Sequence, residues 1–177
     1  PLAALAETGT AISAAGDITL AAGGRIRARQ SQIDSSAGRT ALYGTQGIQL
    51  SEGRQTLDLS EATRGKSRGL ISSSSRSARY SRQHDEAVGS SIGGREVVLA
   101  AGKEGDILVR GSSIISDEAT TLTGRNIGIA ATQSRYLDSE FHQTQKSGLS
   151  GGIKSGVVSK GYSKSRQSLQ HNEIGRA

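Results

Sequence analysis

Apolar residues in this chain come in short alternating bursts. Ile18-Thr19-Leu20, Ile26-Arg27-Ala28, Thr40-Ala41-Leu42, Ile48-Gln49-Leu50, Val97-Val98-Leu99, Ile107-Leu108-Val109 and Ile127-Gly128-Ile129 each space their inward candidates two residues apart. That is the period of a strand with one buried face. Gly-rich corners separate the bursts, among them Ala22-Gly23-Gly24, Gly44-Thr45-Gln46-Gly47 and the run from Ala101 to Asp106. Ile12, Ile33 and Ile114-Ile115 mark a third short strand ahead of the next burst. No helical period is readable anywhere.

The bursts recur on two scales. Ile18-Thr19-Leu20 returns as Thr40-Ala41-Leu42 and Ile26 as Ile48, both 22 residues on; Val97-Val98-Leu99 returns as Thr120-Thr121-Leu122 after 23 and Ile107 as Ile127 after 20. Over the longer scale, the run from Gly16 to Gly23 matches that from Arg95 to Gly102 at an offset of 79. Ile26 and Ile107, Ile33 and Ile114, and Leu42 and Leu122 keep nearly that register. Repeat one therefore spans about residues 12–91, repeat two about 92–173, and a third opens at 174–177, where Ile174-Gly175-Arg176 echoes the run from Ile92 to Arg95. The chain reads as one piece of a longer protein.

Three short strands per unit of about 20 residues predict an all-β fold, specifically a parallel β-helix whose successive coils stack at the roughly 4.8 Å strand spacing. Ile, Leu and Val at equivalent positions then form inward columns. A doubly wound α/β fold would need crossover helices, and none is readable. Since each coil buries its columns only under another coil, self-association by coil stacking is an expected property.

Composition changes this picture in one respect. Ile, Leu, Val and Phe make only 35 of 177 residues, just under the rough 20 % at which disorder competes when net charge is high. The net charge is only +6, and the few aliphatics are periodic. Charge is unevenly placed. The arm of repeat one, residues 62–84, holds Arg64, Lys66, Arg68, Arg76, Arg79 and Arg82 with seven Ser and no acid. The arm of repeat two, residues 141–172, holds Lys146, Lys154, Lys160, Lys164 and Arg166, again with seven Ser and no acid. The remainder has 11 basic and 16 acidic residues. Composition makes the arms flexible; the β-type content of Leu70-Ile71 and Val157-Val158 makes them hairpins projecting once per repeat.

The Ala-Gly-Asp-Ile-x-Leu coil at Ala15 to Leu20, the short coil spacing and the arm motif Lys146-Ser147-Gly148-Leu149-Ser150-Gly151-Gly152 together resemble the haemagglutinin repeats of large bacterial exoproteins of the filamentous haemagglutinin type. In particular they resemble the second repeat region of contact-dependent growth-inhibition effectors. The resemblance implies a right-handed parallel β-helix filament, exported through an outer-membrane two-partner secretion transporter and displayed on the bacterial surface. In the growth-inhibition members it further implies a part in carrying a C-terminal toxin across a neighbour's outer membrane.

Catalytic and cofactor chemistry find no support in the residues. With no Cys there is no thiolate nucleophile, disulfide or thiolate metal site. Gly65-Lys66-Ser67 has Ser60 where a phosphate-binding loop needs Gly. No Gly-x-Ser-x-Gly elbow stands between a strand and a helix, since no helix is readable. Gly23-Gly24-Arg25 and Gly93-Gly94-Arg95 lack the third Gly and the Asp of calcium-binding nonapeptides. Asp17, Asp34 and Asp106 are expected to be corner residues bonding nearby backbone N–H groups, and His84, His142 and His171 to be surface residues near strand ends. No enzyme, cofactor or metal site is expected, and no stretch has the apolar length of a membrane-spanning helix.

The basic arms are the one feature that invites a ligand, because clustered Lys and Arg neutralise phosphates or sulfates. The preferred reading is a filament segment that contacts a neighbouring bacterium and helps deliver a toxin. The alternative is an adhesin module that holds anionic glycans of a host or target surface through the eleven arm cations. Nucleic acid ranks last, since Tyr80, Phe141 and Tyr162 are the only arm aromatics available for base stacking.

Overall fold

The structure, a computed structural model, describes residues 1–151 and 158–176. Its elements are β1 (Leu2–Ala6), β2 (Ala11–Ala14), β3 (Ile18–Ala22), β4 (Arg25–Arg29), β5 (Gln32–Ser35), β6 (Arg39–Gly44), β7 (Gly47–Ser51), β8 (Gly53–Arg68), β9 (Ser72–Val88), β10 (Ser91–Ala101), β11 (Asp106–Arg110), β12 (Ser113–Thr123), β13 (Ile127–Ala130), β14 (Gln133–Gly151) and β15 (Val158–Arg176). The class is all-β, as expected, with no helix among the described residues. Two compact units are present: one made of residues 1–4, 57–84 and 136–173, the other of 5–56, 85–135 and 174–177.

The second unit holds four tiers of short strands in parallel pairing. Ile12 pairs Ile33, which pairs Ile92, which pairs Ile114. Leu20, Leu42, Leu99 and Leu122 form a second ladder. Ile26, Ile48, Ile107 and Ile127 form a third. The tiers are thus β2–β4, β5–β7, β10–β11 and β12–β13. Each short recurrence predicted from the sequence is a hydrogen-bonded neighbour, while matched positions of the long repeat, such as Leu20 and Leu99, lie two tiers apart. Between tiers two and three the offset jumps to 57 at Leu42 and Leu99, because β8 and β9 intervene in the chain without interrupting the stack.

The ladders are the core. Leu42, Leu50, Ile92, Val97 and Leu99 have no exposed surface, and Ile48 and Ile107 have 1 %; burying each contributes about 1.5–3 kcal/mol. Burial fades outward through the tiers. Ile12, Leu20, Ile114 and Leu122 are only partly covered, and Ile127 and Ile129 in the fourth tier are 46 % and 71 % exposed. A column residue gains most of its burial from the tiers on both sides of it.

Buried polar groups at the corners bond across tiers. The Thr40 hydroxyl donates to the Gly93 carbonyl at 2.6 Å. Ser90 Oγ donates to the Ser51 carbonyl at 2.9 Å and accepts the Ser31 N–H at 3.0 Å. Asp17 accepts the Arg39 N–H at 2.8 Å, so the backbone it serves belongs to the next tier and not to its own turn. Asp106 bonds mainly side chains, Arg125 at 2.9 and 3.0 Å and Asn126 at 2.9 Å, with the Asn126 backbone N–H a lesser partner. Those hydrogen bonds hold its carboxyl below the usual range. Gly47 and Gly111 occupy corners with φ of 127° and 50°, and at Gly111 a Cβ would also strike the Thr132 methyl.

One buried carboxylate completes this unit. Glu52, with a side chain only 5 % exposed, receives Arg110 Nε at 3.0 Å and the Thr132 hydroxyl at 3.2 Å. Burial raises its pKa, but its backbone hydrogen bond, Arg110 and Thr132 outweigh that and lower it overall. A depressed folded pKa stabilises above the ordinary value of 4.5 and loses the contribution as pH falls through the folded value.

The first unit is built differently. Its strands lie in a five-stranded sheet of order β1-β8-β9-β14-β15. β8 and β9 are joined by only 69–71, too few residues for a parallel crossover, so they form an antiparallel hairpin. Ser73 bonds Ser147 while Arg82 bonds Asp138, which runs β9 and β14 in opposite directions. β14 and β15 are neighbours joined by 152–157, again too few for a parallel crossover. The arms expected as separate projections from successive repeats are instead neighbours in one sheet, paired through β9 and β14.

Two outcomes check this account. Replacing Ile107 with Asp removes a central column side chain, a loss of about 2–5 kcal/mol before the carboxylate is counted. Far-ultraviolet circular dichroism and melting should both collapse in that variant, while Ile107→Val should cost about 0.5–1.5 kcal/mol. Glu52→Gln should destabilise by about 1–3 kcal/mol at pH 7, and the difference in melting temperature from the parent should shrink as pH drops below 4.5. A difference independent of pH would remove Glu52 from the ionised network.

Candidate anion-binding site

Successive side chains of a strand point to opposite faces of its sheet, and contacts show which alternate sets share a face. Ser73 bonds Ser147 at 2.9 Å. The Arg166 guanidinium lies 5.0 Å from the Phe141 ring centroid. Ala62, Arg64, Ser77, Arg79, Phe141 and Gln143 line one recess, with Thr63 and Ala78 between them, and Arg68, Ser73, Ser147 and Lys160 line another together with the β8–β9 turn and Gly148. One face of the arm sheet therefore carries Arg64, Lys66 and Arg68 from β8, Arg79 from β9, and Lys160, Lys164 and Arg166 from β15. From Ser60 outward to the hairpin tips, no carboxylate stands on this face among the described residues; Asp58 lies at its base.

The opposite face carries Arg76 and Arg82 from β9 and Lys146 from β14, and it is chemically mixed. Arg82 Nε and His84 Nε2 meet the same Asp138 oxygen at 3.2 and 3.1 Å. The His84 ring stands edge-on to Tyr136 with centroids 5.0 Å apart, and Arg82 sits 5.4 Å over the Tyr80 ring. His142 pairs Glu140 at 2.5 Å, and His171 lies 3.7 Å from Glu173. All three histidines fall on this face, each beside a carboxylate and each within a strand, not at its end. No cluster of three potential metal ligands exists among the described residues.

The eleven sequence candidates are thus divided. Seven stand together on one face, three stand on the other, and Lys154 lies outside the described residues. Arg82 is committed to Asp138. The folded unit extends past the acid-free arms and takes in Asp58, Glu61, Asp138, Glu140 and Glu173, which flank them in the chain. Which face those acids occupy depends on pairing between the arms, which a reading along the chain does not give. What the sequence did offer was the spacing of Arg64, Lys66 and Arg68 at every second residue, which on any strand puts three cations on one side.

Chemically, the first face is a serine-rich surface whose arm cations have no carboxylate partner among the described residues, suited to a multiply charged anion. Among the described residues it has no converging metal-ligand set. No curated protein and no solved structure matches the chain. A family model described as "Hemagglutinin repeat" matches residues 71–175, which covers the arm sheet from β9 onward and the third and fourth tiers. That match takes in more than half of the chain, which therefore belongs to the hemagglutinin-repeat family of secreted surface exoproteins, structural and adhesive in role and not enzymatic.

Proposed function

We propose that the chain is a structural segment of a bacterial surface filament, a right-handed parallel β-helix whose arm sheets bind anionic glycans on another cell surface. The parallel ladders that set Ile18 beside Thr40 and Ile26 beside Ile48, one coil apart, support the β-helix. The single observation that carries the binding role is the segregation of seven arm cations onto one face. Lys and Arg gathered without acids create a field that steers and holds polyanions. Export of the parent protein through a two-partner transporter is part of the same reading.

Delivery of a C-terminal toxin across a neighbour's outer membrane is the competing role. Strands that span a bilayer alternate apolar side chains toward lipid with polar ones inward. Both alternate sets of β8, β9 and β15 are dominated by polar side chains among the described residues, which favours adhesion over insertion. Exposed Leu70 and Ile71 at the β8–β9 tip are too few for an apolar band.

Retention on immobilised heparin should be strong at about 50 mM salt and fall steeply by about 200 mM. Neutralising Arg64, Lys66, Arg68, Arg76, Arg79 and Arg82 to Gln should weaken it about tenfold or more. Partitioning into lipid vesicles by both proteins alike, with no heparin retention in either, would overturn adhesion in favour of delivery.

A further inference from the structure

The anion-binding reading can be sharpened by where the cations stand within the sheet. They lie mainly on β8 and β15, which edge the sheet beyond Ser60, where its pairing with Pro1 ends. Arg64, Lys66 and Arg68 occupy β8, and Lys160, Lys164 and Arg166 occupy β15, with β9 and β14 between them. Three strand spacings separate the two rows, about 14 Å, and alternate residues within a row are about 6.8 Å apart. The inner strands present Ser73, Ser75, Ser77, Gln143, Gln145 and Ser147 to the same face, all uncharged donors and acceptors. At the tip end Arg68 and Lys160 share one recess of about 310 Å³. At the base Arg79, Phe141 and Arg166 share another of about 680 Å³, which Glu61 and Glu140 of the opposite alternation also line.

We propose that this face is a trough for a linear, multiply sulfated or carboxylated polysaccharide lying along the strand direction, its hydroxyls on the Ser/Gln floor and its anionic groups on the cationic rows at either side. The argument deepens the glycan-binding reading and rests on it. A polysaccharide carries charge on both edges and hydroxyls throughout, matching charged walls and a neutral hydrogen-bonding floor. Nucleic acid matches less well. Stacking of successive bases needs a series of free aromatic faces, but Phe141 is covered by Arg166 and Tyr80 is on the other face. Only Tyr162, 62 % exposed between Lys160 and Lys164, is open on this side among the described residues. One wall comes from the first arm and the other from the second, so a lone repeat would hold half of the site.

The test uses the full chain, a heparin octasaccharide as probe, and three variants. The first replaces Arg64, Lys66 and Arg68 with Gln; the second replaces Lys160, Lys164 and Arg166 with Gln; the third replaces Arg76 and Lys146 on the opposite face. All positions are on the surface, and circular dichroism checks that each variant keeps its strands. Calorimetry should show each wall variant binding about tenfold or more weakly and the opposite-face variant within about threefold of the parent. Equal losses in all three would reduce the effect to net charge and overturn the trough. So would loss confined to one wall, or an oligonucleotide of equal charge binding the parent as tightly. Absence of octasaccharide binding by the parent would overturn the glycan-binding reading itself, a different failure from any of these.

Discussion

In-register stacking of like aliphatic residues is the constraint on which the rest of this molecule depends. A short strand with two or three small apolar side chains cannot close a core alone. Four of them in parallel register make continuous Ile and Leu ladders. Full burial is reached in the middle two tiers, while the outer tiers expose part of the same columns. The composition follows from this geometry: a narrow interior has room for Ile, Leu, Val and Ala and little use for aromatic rings, so a modest complement of large apolar side chains suffices where a sandwich of this length would want more.

Stacking also sets what the corners must do. Each tier meets the next at backbone distance, and polar groups there find partners on the neighbouring tier: Thr40 on Gly93, Ser90 on Ser51, Asp17 on Arg39. Glu52 is the extreme case, a carboxylate taken almost wholly out of water and held ionised by Arg110 and Thr132 from the third tier and the segment after the fourth. Such groups contribute little as isolated bonds, but each would be costly to leave unpaired. They bind tiers that are distant along the chain into one register.

The arm sheet obeys other rules. Neither alternate set supplies an aliphatic column, and its order comes from antiparallel backbone pairing with polar side chains on both sides. Charge is what distinguishes its faces. Where acids are interleaved, cations are partnered, as Arg82 is by Asp138. Where they are absent, the cations stand over Ser and Gln and remain available. A cationic face on a structural repeat thus follows from strand alternation and the placement of a few carboxylates.

The sequence by itself determined the ladders. Period-two bursts recurring once per tier, with glycine corners between them, leave one arrangement in which Ile18, Leu42, Ile48, Leu50, Val97, Leu99, Ile107 and Val109 are all covered, and the observed neighbours are those recurrences. It also set Arg64, Lys66 and Arg68 on one side of whatever strand they formed. Only tertiary structure decided that the second coil of the first repeat is followed in the stack by the first coil of the next, that the two arms pair with each other, and that Asp138 and Glu140 neutralise one face alone. Those outcomes turn on hydrogen bonding between strands that lie far apart along the chain. Polar arm sequences do not specify register through a buried pattern, so no local period could announce them.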